Sequence, residues 1–184
     1  MKTPRVLVIL ADGAEEMEVV ITVDVLRRAG IEVVSAGLAG SGPVTCSRGV
    51  RLVPDLGLAE ARGPFDLVVL PGGAKGSDAL AASAEVGRLL QAQERDGRGI
   101  AAICAAPKVL AVHGVQAGRA MTSHPSVRDA VARHGRYVES PVVEDGDLVT
   151  SRGPGTAFAF ALTLVARLCG KDRAESLRGP MVLA

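Results

Sequence analysis

Aromatic side chains are nearly missing: the chain has three Phe, one Tyr and no Trp. This argues against stacking platforms for bases or sugars and against a binding face anchored by Trp and Tyr. Neither sign of charge prevails. The 21 Lys and Arg stand against 20 Asp and Glu, a formal charge of +1, which leaves no electrostatic footprint for nucleic acid. Long apolar runs are absent too. Val6–Leu10 is too short for a secretory core, and no stretch reaches bilayer-spanning length, so no membrane is expected. Cysteine is scarce. Cys46, Cys104 and Cys169 are an odd, widely spaced set, with neither a disulfide framework nor a metal-type pair spacing. That usage fits a reducing compartment and a cytoplasmic location. No cluster supplies three metal ligands. Around Lys75 and Ser77 the Gly-Lys-Ser/Thr order of a phosphate loop is missing. No cofactor is expected.

What is present is a chain of 184 residues, 48% of them apolar and 22 of them Gly. That suits one domain over 1–184 with its own core and tight turns. Val6–Leu10, Leu67–Leu70 and Ile100–Ile103 are short, unbroken apolar runs, as expected of strands buried on both faces. Between them, Glu15 to Ala29 reads as a helix with acids in its first turn and Arg27 and Arg28 in its last. Gly30 ends it and Ile31–Ala36 is the next strand. Val44–Val53 reads as a hairpin or irregular excursion closed by Pro54. Helices are expected from about Ala82 to Arg95, over Ala105–His113 and over Thr156–Cys169, with weaker strands at Ala120–Ser123 and Leu148–Ser151. Strands alternating with helices predict an α/β doubly wound sandwich with a mostly parallel sheet.

In such sheets the ligand crevice lies at the carboxyl ends of the strands. That rule selects Asp12, Glu15, Glu16 and Glu18, then Gly72 and Gly73, then Cys104, then Ser123 and His124. Cys104 is the strongest signal. It follows a buried strand directly, and tiny residues flank it, so the turn can be as sharp as a nucleophile elbow. Packing is the ordinary fate of a free cysteine, but this junction argues for a nucleophile. Pro107 fits the first turn of the next helix. Free N–H groups there are expected to hold a thiolate, where an ordinary thiol (pKa ~8.5) is only about 3% ionised at neutral pH. Glu15 and Glu16 are most simply acids that complement the helix dipole. Glu18 lies on a stripe with Ala14, Thr22, Val25 and Ala29, which favours it slightly as a buried, proton-sharing partner. Gly72-Gly73 makes a turn and leaves an exposed N–H that would form an oxyanion hole with that of Ala105. His113 and His134 read as helix C-terminal residues. Cys46 and Cys169 default to packing, and Ser151-Arg152-Gly153-Pro154-Gly155-Thr156 to a turn that caps the last helix.

These segments resemble a known family. Val-Ile-Leu-Ala-Asp-Gly-Ala-Glu-Glu-Met-Glu (8–18), Arg-Arg-Ala-Gly-Ile (27–31), Ala-Gly-Leu-Ala-Gly (36–40) and Cys-Ser-Arg (46–48) are similar to the parkinsonism-associated deglycase family of the DJ-one/ThiJ/PfpI superfamily. So are Leu-Pro-Gly-Gly (70–73), Ala-Ala-Ile-Cys-Ala (101–105), His-Pro (124–125) and Thr-Ser-Arg-Gly-Pro-Gly-Thr (150–156). The similarity runs from about Pro4 to Leu183, with the motifs in order and at family spacing. The resemblance implies a flavodoxin-like sandwich that forms a homodimer. It implies Cys104 as the oxidisable nucleophile, Glu18 as its acid partner, Gly73 and Ala105 as backbone donors and His124 as the pocket histidine. Arg28 and Arg48 match arginines near the pocket and dimer interface, and Cys46 matches a less reactive cysteine there. Ala106, where animal members usually carry Gly, and Val53, in place of a peripheral cysteine, depart from the pattern. Cys169 has no family counterpart.

The expectation is a glutathione-independent glyoxalase or deglycase acting on methylglyoxal or glycated amines and thiols, and releasing lactate. The alternative is an oxidative-stress sensor or chaperone working through oxidation of Cys104. A protease is disfavoured because no histidine directly follows Cys104.

Overall fold

The computed structural model describes residues 3–183. In chain order the elements are β1 (Arg5–Leu10), α1 (Glu16–Arg28), β2 (Glu32–Gly37), β3 (Val44–Thr45), β4 (Arg51–Leu52), β5 (Leu56–Gly57), β6 (Leu67–Leu70), α2 (Ala74–Ala82) and α3 (Ala84–Arg95). They continue with β7 (Gly99–Ile103), α4 (Pro107–His113), β8 (Ala120–Met121), α5 (Arg128–His134), β9 (Arg136–Tyr137), β10 (Val142–Asp145), β11 (Leu148–Ser151), α6 (Ala157–Cys169) and α7 (Lys171–Arg178).

Seven strands form the central sheet in the order β10-β11-β7-β6-β1-β2-β5. Every pairing in it is parallel except β10 with β11. The unbroken apolar runs follow from this placement. β1 alternates its side chains between two cores: Val6, Val8 and Leu10 face α1 and α6, while Leu7 and Ile9 face the layer of α2 to α5. Both faces of β1 are dry, so a polar side chain on either would lose its water without a partner to replace it. Burying each such Val, Leu or Ile contributes about 1.5–3 kcal/mol.

The chain leaves β1 towards β2 and β5, then returns across β1 to β6. α1 packs on one face and α2 on the other. The crevice of the fold therefore opens between the carboxyl ends of β1 and β6.

The structure refines three expectations. A helix that the sequence leaves unassigned follows Pro71-Gly72-Gly73: α2 precedes α3, and Ser83 separates them as the N-cap whose Oγ accepts the Val86 N–H at 3.3 Å. Of the two readings of the 44–53 excursion the hairpin holds, β3 with β4, followed by β5 on the edge of the main sheet. The Ala120–Ser123 segment does not join the central sheet; β8 pairs with β9 in a small ladder of its own.

Candidate active site at the carboxyl edge of the sheet

Cys104 leaves the buried β7 in a left-handed conformation, φ 64°. For a residue with a Cβ this costs about 1–2 kcal/mol, so its surroundings have to enforce it. They do so through the backbone. The Cys104 N–H donates to the Ser151 carbonyl of β11 at 3.0 Å, and its own carbonyl accepts the His124 N–H at 2.8 Å. Ala106 N–H closes the turn on Ile103 O at 3.0 Å. Ala105 and Ala106 are both buried, so larger residues at the elbow would collide with the core.

Gly72 and Gly73 face this elbow. A Cβ on Gly72 would stand 2.5 Å from the Cys104 Cβ and 2.7 Å from Glu18 Oε2. Gly73 has φ 87°, and a Cβ there would drive into Gly13 O and the Glu15 N–H. Only glycine allows this close approach. The Gly72 N–H donates to Glu18 Oε2 at 2.7 Å, so it is spent on the acid. The N–H groups that reach the Cys104 sulfur are those of Gly73 and Ala105.

Glu18 is fully buried on the inward stripe of α1, with Ala14, Thr22, Val25 and Ala29 also buried. Its Oε1 has no hydrogen-bond partner among the described residues. Glu15 is turned away: its Oε2 accepts from Ser47 Oγ at 2.7 Å, and its N–H donates to Gly72 O at 3.0 Å. Of the two acids that the sequence left open, Glu18 is the one against Cys104. Glu16 is also buried, held by Ser47 Oγ and the Arg48 N–H.

Burial raises the Glu18 carboxyl to about 7, against the smaller lowering effects of the Gly72 N–H and the Cys104 side chain. Burial is also the largest influence on Cys104. Together with the charge of ionised Glu18 it pushes the thiol up to about 12, while the Gly73 and Ala105 N–H groups pull it down. This corrects the expectation that free N–H groups alone make a thiolate here. Both effects of Glu18 on the sulfur are those of an ionised carboxylate. A protonated Glu18 removes the repulsion and can donate to the sulfur. The two groups therefore titrate as a coupled pair: one proton leaves it near pH 7, and the one that remains is shared between the carboxyl and the sulfur.

The remaining sequence candidates are scattered around this pair. His124 is exposed and tied to Cys104 by its backbone. Cys46 is buried beneath the edge, and its thiol is raised to about 11 by burial, then by Glu16, Glu15 and Asp12. Arg48 is exposed and lines, with Asp12, Cys46 and Lys75, a hollow of about 440 Å³. Arg28 is not at the site within one chain. It ends α1, ten residues or about 15 Å beyond Glu18, paired with Asp24 at 2.6 Å. Ser151, whose carbonyl anchors the nucleophile's N–H, reads in sequence only as the end of a strand and the start of a turn, because a backbone acceptor has no residue signature. Among the described residues no three His, Cys, Asp or Glu side chains gather as metal ligands would. No helix among them is long and apolar enough to cross a membrane.

The profile of the DJ-1/PfpI family matches residues 4–167. Protein dj-1beta of Drosophila melanogaster is 53% identical over 180 residues, covering 97% of this chain and 96% of that protein. The crystal structure of Drosophila melanogaster DJ-1beta superimposes with a TM-score of 0.97 over the whole of both chains, at 51% identity. A Caenorhabditis elegans relative named glutathione-independent glyoxalase DJR-1.2 is 43% identical over 175 residues, covering 94% of this chain and 92% of that protein.

Proposed function

This chain belongs to the DJ-1/PfpI family, and from that premise we propose that it is a cofactor-independent, cysteine-dependent glyoxalase or deglycase. The observation that carries the reading is the Cys104 sulfur, held at a left-handed elbow between two N–H donors and the buried, proton-sharing Glu18.

The thiolate of Cys104 adds to the aldehyde carbon of methylglyoxal and forms a hemithioacetal. The Gly73 and Ala105 N–H groups stabilise the oxyanion. Glu18 gives its proton to that oxyanion, then takes the proton from C1 and returns it to C2, while the C1 hydroxyl proton passes to the oxygen on C2, turning the adduct into a lactoyl thioester. Water then cleaves the C–S bond and releases lactate. C1 is oxidised and C2 reduced within one molecule, so no external oxidant or cofactor is needed. A glycated amine or thiol enters by the same first step. His124, exposed beside the elbow, is assigned to the substrate's oxygen.

A homodimer is part of the proposal. Met17 and Val20 on the outer side of α1, and Val50 and Val53 beside the hairpin, are large apolar side chains about half exposed or more. Val20 and Val53 line one groove, a surface that a second copy would cover. The cysteine usage supports a reducing compartment such as the cytoplasm as part of the same proposal.

A second reading uses the same pair. The unpartnered Oε1 of Glu18, once protonated, can donate to a sulfinate oxygen on Cys104, as an oxidation sensor requires. Methylglyoxal loss with matching lactate formation decides between them. Turnover by the wild type and none by Cys104→Ala supports the enzyme. No turnover by either makes the sensor the better account.

A further inference from the structure

His124 begins a short 3-10 turn, Pro125–Val127, and serves as its N-cap. Its ring is therefore bound by its own chain. The Ser126 N–H donates to Nδ1 at 3.2 Å, and Ser126 Oγ lies 2.8 Å from the same nitrogen. Pro125 sets the turn's φ, and the Ser126 N–H, lying in the first turn, has no helical partner. We infer that Ser126 is a positioning residue that commits His124 to its Nε2–H tautomer, which makes the ring a hydrogen-bond donor toward substrate oxygen.

The reasoning is one of proton accounting. A neutral imidazole has one N–H and one lone pair. A backbone N–H aimed at Nδ1 can be met only by the lone pair, so the ring proton sits on Nε2. The Ser126 hydroxyl can donate to the same nitrogen and strengthens the choice. The ring is exposed, while the His124 backbone N–H is fixed to Cys104 O at 2.8 Å and Cδ2 lies beside Gly153. Nε2, next to Cδ2, is the nitrogen left for a ligand.

The consequence for chemistry is a division of labour. In this tautomer Nε2 has no lone pair to accept the C1 proton, so His124 is not the base of the isomerisation. It steadies a carbonyl or enediolate oxygen while its own proton stays in place, and Glu18 moves the proton. The role toward substrate rests on the dicarbonyl reading above; the tautomer does not.

A long-range 1H–15N spectrum of the His-labelled full-length protein tests it, at a pH where the ring is neutral. The expected result is a pyrrole-type Nε2 and a pyridine-type Nδ1. Ser126→Ala should shift the Nδ1 resonance and lower kcat for methylglyoxal by about tenfold, the scale lost when a partner that orients an imidazole is removed. KM should change less, and Ser126→Thr should restore both. An Nδ1–H tautomer in the wild type overturns the inference. Ser126→Ala keeps the backbone N–H and loses only the hydroxyl, so an unmoved Nδ1 signal there overturns the positioning role given to the Ser126 side chain. If the wild type turns over no methylglyoxal, the dicarbonyl reading fails, and the spectrum still decides the tautomer and the part Ser126 plays in it.

Discussion

Replacing Glu18 with Gln should make the protein more stable above neutral pH, although it removes the proposed proton carrier. Burial raises the Glu18 carboxyl from 4.5 to about 7. Between those values the folded protein holds this proton and the unfolded chain does not. Stability therefore falls as pH rises through that window and stays reduced above it. At ~1.4 kcal/mol per pH unit, the 2.5 units between 4.5 and 7 amount to about 3 kcal/mol at most. Gln keeps the acceptor for the Gly72 N–H. Its amide NH2 takes the place of the unpartnered Oε1 and can donate to the Cys104 sulfur. The variant should match the wild type near pH 4.5 and gain progressively towards pH 7. For a chain of this length the full difference corresponds to a rise of about 6–12 °C in midpoint. Urea unfolding of both proteins from pH 5 to 9, at one protein concentration, reads the difference. A difference independent of pH, or a variant less stable at pH 9, refutes a proton held by this buried pair up to about pH 7.

Three other outcomes are expected. Cys104→Gly should be more stable than Cys104→Ala by about 1 kcal/mol, because glycine relieves the φ of 64° that alanine retains; thermal melts of the two check it, and equal midpoints count against a strained elbow. Gly72→Ala puts a methyl 2.5 Å from the Cys104 Cβ and 2.9 Å from Ile103 O. It should cost about 1–3 kcal/mol and lower methylglyoxal turnover by about a hundredfold through a displacement of the reacting groups, read from a melt and a rate. The double change Val20→Asp, Val53→Asp should convert the proposed dimer to a species near the 18.9 kDa of one chain in light scattering, with the far-UV spectrum retained.

The parts of the site that were legible in sequence are those with a local signature. Short apolar runs betrayed β1, β6 and β7, since strands buried on both faces have no polar alternation to hide in. The small and apolar stripe on α1 singled out Glu18, and Ala-Ala-Ile-Cys-Ala-Ala marked the elbow. α2 escaped because its contact with the site is made by absent side chains. Gly76 lies so close to Ala14 that a Cβ would stand 2.8 Å from its N–H, and such packing leaves no apolar periodicity. β5 and β10 are edge strands whose pairing is set by tertiary placement. The titration of Cys104 depends on an acid 86 positions away in sequence, so the dipole argument had the right donors and missed their opponent. Ser126 had a visible sign, a serine two residues after His124 across a proline, which pattern alone does not separate from an ordinary turn.

The most direct test of the central claim, a one-proton Cys104–Glu18 pair that attacks dicarbonyls, is the pH dependence of Cys104 alkylation. It would be measured by intact mass with iodoacetamide, in wild type and Glu18→Gln, while methylglyoxal loss is followed in the same samples. The account predicts that wild-type alkylation and methylglyoxal loss rise together through about pH 7. It predicts that Glu18→Gln is still alkylated but no longer consumes methylglyoxal. Alkylation that begins only in the range of an ordinary thiol in both proteins, or methylglyoxal loss that survives without Glu18, would contradict it.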